Sequence, residues 1–254
     1  MFPFTHLVWT KKLADQLGVQ DRGEFNLGGI LSDVRYLTGQ TWQATHPPAD
    51  RFWVEAQQAL GQMTDGQYQL ELDFARGVLL HLVMDQWEPY LIRQTRAVLP
   101  LGRFYPRAVV KLLFEAAVAE SNPLENIPLS ERTPQLAGLI NVADGCWIRE
   151  FADSALANPV LEEGISFIQE IGVDQQSLKI RVLMRLGTAF LKSPLHDPIL
   201  DPIKAMLRQQ ESFLHQQFLA DYYAAMSSPV VEETRDAVPV QVLAPESSPR
   251  GRPA

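Results

Sequence analysis

The chain has a single cysteine, Cys146, among its 254 residues. An internal disulfide is therefore excluded, and nothing points to an oxidising compartment. Also missing is any apolar run near the roughly 20 residues that a membrane-spanning helix requires. Strand-like alternation is nearly absent, and no repeat of solenoid length is present. Basic character is short as well: 22 Lys and Arg stand against 30 Asp and Glu, giving a formal charge of −8 with both signs mixed along the sequence. That balance argues against an electrostatic groove for duplex nucleic acid, and no aromatic-plus-basic track for single strands stands out. The first residues, Met1-Phe2-Pro3-Phe4-Thr5-His6, carry no basic n-region and no small-residue cleavage site, so the expectation is a cytoplasmic protein that is not exported.

What is present reads as helix. The length allows one large domain or two small ones with a full core, and the apolar fraction of 46% is ordinary for a globular protein. Leu7, Val8, Leu13, Ala14 and Leu17 mark one face of a first helix that Thr5 can cap and Gly18 can end. The apolar segment Phe25 to Gly39 holds the pair Gly28-Gly29, which lets another backbone come close, and one carboxylate, Asp33. Pro48 can open a helix to about Met63, and a long helix from near Tyr68 to about Val98 is expected to kink at Pro89. Further helices are expected over 106–120, 134–157, 159–171, 174–191 and 198–226. After Met226 the composition turns to Pro and Ser without periodicity, so residues 227–254 read as a disordered tail, whose short apolar patch Val238 to Leu243 could dock on a protein partner. The expectation is a single all-α domain over about 1–226.

Within that pattern, His81 and Asp85 stand four apart in an apolar helical segment, which puts both on one helix face. His6, Asp33 and His46 lie in mostly apolar surroundings in the same third of the chain. Aspartate is almost never fully buried unless paired or bound to a metal. Five ligand-type residues from separate segments suit a borderline metal such as zinc, which takes imidazole nitrogen and carboxylate oxygen, although manganese or iron could occupy the same donors. His215 with Glu211 is another i,i+4 pair, but it sits in a polar run and reads as a solvated face. His196, followed by Asp197-Pro198, reads as structural or exposed.

The order His6, then Gly-Gly-Ile-Leu-Ser-Asp33, then Thr45-His46, then His81-Leu-Val-Met-Asp85 resembles the zinc-dependent phospholipase C family over about the first 90 residues. That family shares an all-α fold with the single-strand-specific nucleases of the S1/P1 type. The resemblance implies that Asp33, His46, His81 and Asp85 surround one zinc, that His6 and Asp85 help hold a second with Asp85 bridging, and that Asp33 orients the attacking water. Two metals would polarise a phosphoryl group and activate a water for in-line attack on a phosphodiester. The implied activity is hydrolysis of phosphate esters, with lipid or small diesters preferred over nucleic acid, and Arg35, Arg76 and Arg103 could contact phosphate.

The chain departs from the family in two places. Family members use a mature N-terminal residue, exposed by processing, as a ligand, and they hold a further zinc with a later histidine and a His-x-x-x-Glu pair. Here no histidine lies between His81 and His196, so that site is missing or rebuilt from carboxylates such as Glu88, Glu115 or Asp144. Two other readings stay open: a non-catalytic helical binding or scaffold protein that keeps a degenerate metal site, and a metal-free buried polar network of Asp33, His46, His81 and Asp85. With neutral imidazoles the five residues carry two negative charges, so one zinc neutralises the site and two make it attract phosphate.

Overall fold

A computed structural model describes residues 3–34, 41–122, 127–142 and 196–228, and it is mostly helical, with no strand among the described residues. The helices are α1 (Pro3–Leu13), α2 (Arg22–Leu31), α3 (Trp42–Thr45), α4 (Ala49–Leu60), α5 (Asp65–Gln86), α6 (Glu88–Val98), α7 (Arg107–Ser121) and α8 (His196–Met226). Tight 3-10 turns cover Ser32–Val34, Gly102–Phe104 and Gln135–Ile140. The expected helices over 159–171 and 174–191, and the tail beyond Ser228 with its patch Val238 to Leu243, lie outside the described residues.

Helix α5 is the centre of the assembly. From Phe74 to Asp85 every residue except Arg76 is buried, as expected for a helix apolar all round. α2 lies against it, buried from Glu24 to Leu31, and is capped by Asp21, whose Oδ1 accepts from the Glu24 N–H at 3.0 Å. The two helices meet at glycines: a Cβ on Gly28 would stand 2.1 Å from the Phe74 carbonyl oxygen, and one on Gly77 would stand 2.0 Å from that of Phe25. Gly28 thus confirms the close approach expected from the Gly-Gly pair, and its partner is a glycine inside α5. α1 packs on α2 and α7 and also meets α5, and α8 closes the bundle against α4, α5, α6 and α7. α8 does so with Leu200, Ile203, Leu214, Phe218 and Tyr222 on one buried stripe.

Several boundaries differ from the sequence expectation for physical reasons. Thr5 lies inside α1, and its N–H and hydroxyl both donate to the buried Glu115 carboxylate of α7, the N–H at 3.0 Å. Glu115 therefore supplies the first-turn acceptor that Thr5 was expected to provide. Gly18 does end the first segment: it has φ 64°, and the Gly18→Asp15 and Val19→Ala14 hydrogen bonds of 3.2 and 3.1 Å close the turn. The helix expected from Tyr68 to Val98 is two helices, because α5 stops at Gln86 and Pro89 opens α6 in its first turn. The helix expected from Pro134 is a 3-10 turn that ends where Asn141 takes a left-handed φ of 56°, and residues 143–157 of that stretch lie outside the described residues.

That 3-10 turn is pinned to α5 by charge. Glu71, fully buried, accepts from the Gln135 and Leu136 N–H groups at 2.8 and 3.0 Å. Arg132 bridges Glu71 to the buried Glu24 of α2, reaching Glu24 through Nε at 2.8 Å and Nη2 at 3.1 Å. Arg132→Met should therefore cost about 3 kcal/mol, since it takes the guanidinium away from two buried carboxylates that keep only neutral donors. A fall in the urea midpoint checks it, and an unchanged midpoint would show that water already screens both groups.

Candidate metal centre

The five residues singled out in the sequence converge on one buried point. His6 comes from α1, Asp33 from the 3-10 turn after α2, His46 from the residue after α3, and His81 and Asp85 from successive turns of α5. His6, Asp33 and His81 are fully buried, and His46 and Asp85 nearly so. The close contact of α2 with α5 sets the geometry. It brings the Gly29 carbonyl 2.8 Å from His81 Nδ1, and a carbonyl only accepts, so Nδ1 carries the hydrogen and Nε2 presents a bare lone pair.

That lone pair faces one carboxylate oxygen and one further ring nitrogen. His46 Nε2 lies 3.0 Å from His81 Nε2 and 3.1 Å from Asp85 Oδ2, and His81 Nε2 lies 3.4 Å from the same oxygen. A single hydrogen on His46 Nε2 can serve only one of its two neighbours. On the other side His6 bridges two carboxylates, with Nδ1 3.1 Å from Asp33 Oδ2 and Nε2 3.3 Å from Asp85 Oδ1. Asp33 Oδ1 is buried with no hydrogen-bond partner among the described residues. Acceptors this dense call for a cation. The triangle of His46 Nε2, His81 Nε2 and Asp85 Oδ2 also has the right size: zinc bonds of 2.0–2.1 Å in a tetrahedron imply donor separations of roughly 3.3 Å. Two further triads, His6/His81/Asp85 and Asp33/His46/His81, each hold their donor atoms within 4.8 Å of one another. The donor set therefore has the chemistry and the spacing to hold a metal ion.

Charge reinforces the fit. Burial pushes the Asp33 carboxyl up, but the His6 hydrogen bond and the charges of His81 and His6 outweigh it and hold Asp33 down at about 2. Asp85 is likewise held well below the usual carboxylate range, since His81, His46 and His6 overcome its burial. Burial, reinforced by His6, pushes His81 down to about 4 despite Asp85 and Asp33. At His6 burial is outweighed by Asp33 and Asp85, and its affinity for a proton rises. The centre thus keeps two carboxylates ionised and one imidazole neutral, with His6 as the group from which a metal must displace a proton.

Some supporting groups were not legible in the sequence. Thr45 Oγ1 lies 2.8 Å from His46 Nδ1 and fixes that ring from behind. The Trp42 ring stacks on His46 at 3.6 Å and 16°, and with 38% of its surface exposed it forms the outer wall. Thr immediately before His46 was the only signal in the sequence.

The carboxylates offered for a rebuilt site are used elsewhere. Glu88 pairs with Arg107 and with Lys111 Nζ, the latter at 2.8 Å. Glu115 receives Thr5, and Asp144 lies outside the described residues. Among the phosphate-contact candidates, Arg76 pairs with Asp73 at 3.3 Å, Arg103 lies over the Phe104 ring at 4.7 Å, and Arg35 lies outside the described residues. His196 opens α8, while His215 bonds Gln16 at 2.8 Å rather than Glu211, as a surface histidine does. No protein-family model, curated protein or solved structure matches the chain.

Proposed function

We propose that His6, Asp33, His46, His81 and Asp85 bind zinc, and that the chain is a metal-dependent hydrolase of phosphate esters of the zinc-dependent phospholipase C type. The observation that carries this reading is the convergence of five side chains from four segments on one buried point, in the order by which the sequence resembles that family. Asp33, His46, His81 and Asp85 supply one complete donor set, and His6 with a bridging Asp85 offers the start of a second. Bound zinc would supply Lewis-acid polarisation of a phosphoryl oxygen and lower the pKa of a water. The chain's own residues do the rest. Asp33, ionised and with one oxygen free of hydrogen bonds among the described residues, would orient that water. His6 holds the opposite Asp33 oxygen still, and Trp42 walls the side of His46. The substrate class is a lipid-like or small phosphate ester.

A second reading has its own observation. Glu88 and Glu115 are committed to other partners, so neither replaces the absent histidines, and a binding or scaffold protein with a structural metal site follows. Elemental mass spectrometry on protein purified without a histidine tag separates the two. Two or more zinc ions per chain with turnover of a chromogenic phosphodiester supports the hydrolase. One zinc without turnover gives the scaffold, and none leaves a buried polar network.

A further inference from the structure

The connection between α6 and α7 presents two apolar side chains to solvent. Leu101 is 71% exposed and Phe104 67%, the highest values among the large exposed hydrophobic residues described. Leu101 also has φ 55° and ψ 24°, a left-handed conformation that suits glycine and is unfavourable for leucine. Neither packing nor backbone geometry accounts for a leucine there. The turn is braced: the Gly102 N–H donates to the Leu99 carbonyl at 3.0 Å, the Phe104 N–H to that of Leu101 at 2.9 Å, and Arg96 Nη2 to that of Tyr105 at 3.2 Å. A Cβ on Gly102 would stand 2.2 Å from the Arg96 carbonyl oxygen, so the turn sits hard on the end of α6.

Charge around the turn runs against the rest of the chain. Residues 89–114 hold Arg93, Arg96, Arg103, Arg107 and Lys111 and no Asp or Glu, a local charge of +5 in a chain of −8. Arg107 and Lys111 share Glu88. Arg103 and Arg93 lie over Phe104 and Tyr90 at 4.7 and 5.7 Å, with no carboxylate partner among the described residues.

We propose that this turn docks the protein on an anionic phospholipid bilayer, with Leu101 and Phe104 entering the acyl boundary and Arg103 and Arg93 held among headgroup phosphates. A stable protein partner needs about 800 Å² of complementary surface on each side. Two apolar side chains projecting from a braced turn, flanked by guanidinium groups, suit instead a deformable apolar layer beneath negative charge. The inference uses no residue of the metal centre and stands apart from the hydrolase reading.

The test is sedimentation of the full chain with vesicles of phosphatidylcholine, with and without phosphatidylserine. The expected result is binding to the phosphatidylserine vesicles that weakens with salt and falls at least about tenfold in Leu101→Ser/Phe104→Ser. Leu101→Gly separates docking from folding: it should keep or raise the thermal midpoint, because glycine suits the left-handed turn, while lowering vesicle binding. The proposal is overturned if the wild-type chain ignores phosphatidylserine vesicles, if the double variant binds as well as wild type, or if the turn captures an acidic protein while vesicles stay unbound.

Discussion

Gly77→Ala should destabilise the protein by on the order of 3 kcal/mol, although alanine is the better helix former by about 1 kcal/mol. The added methyl would stand 2.0 Å from the Phe25 carbonyl oxygen and 2.9 Å from the Gly29 nitrogen, and both are backbone atoms that no rotamer change can move aside. α2 and α5 would have to part, and the Gly29 carbonyl would leave His81 Nδ1. Two other glycines calibrate the effect. A Cβ on Gly29 would meet the Thr10 methyl at 2.4 Å, a side-chain atom rather than backbone, so Gly29→Ala should cost less than Gly77→Ala. A Cβ on Gly66, in the first turn of α5, would meet nothing within 4 Å, so Gly66→Ala should stabilise by roughly 0.5–1 kcal/mol. The urea midpoints should therefore rank Gly66→Ala above wild type, then Gly29→Ala, with Gly77→Ala lowest. A Gly77→Ala midpoint at or above wild type would mean that the helix contact is looser than its geometry.

The difference between Gly28 and Gly77 shows what a sequence exposes. Gly28-Gly29 sits in an apolar run, where a glycine pair has few other uses, so the close approach was legible there. Gly77 lies in a strong helical pattern, and nothing local says which backbone it will meet. The all-α class was legible because the 3.6-residue periodicity is a local property. So was the facing of His81 and Asp85, which helix geometry alone dictates. That His6, Asp33 and His46 would join them followed only from their order along the chain, because contacts between segments far apart in sequence leave no periodic trace. The Glu24–Arg132–Glu71 bridge and the Glu115 cap on Thr5 are of this second kind, and isolated acidic residues read as surface. The split at Trp87 was half legible: Pro89 marked the place, but Pro fits a kink as well as a new first turn.

Removing His81 and Asp85 together should abolish metal binding, with His81→Ala/Asp85→Ala retaining less than about a tenth of the wild-type content. His81 takes part in each close donor set and Asp85 in all but Asp33/His46/His81, and what remains is two imidazoles and one carboxylate without Asp85 to bridge them. Metal that binds only the folded chain stabilises it by about 4 kcal/mol at a thousandfold excess over Kd. For a domain of this size that is a fall of roughly 10 °C in Tm when a chelator strips the wild type, and the double variant should show no chelator effect. Acidification should mimic the chelator. His81 is neutral down to about 4 in the folded chain and protonates near 6.5 when unfolded. The unfolded state therefore binds more protons between those values, and stability falls as pH drops through them. Asp33, at about 2 against 3.8, extends the loss at lower pH. His6 has the opposite sign: its raised pKa stabilises the metal-free chain below 6.5 and is lost above. It also makes the metal compete with a proton, so metal affinity should weaken on acidification. Because the double truncation leaves a cavity, His81→Gln with Asp85→Asn serves as the volume-matched control. Full metal content in both variants would show that the cluster is held together by hydrogen bonds alone.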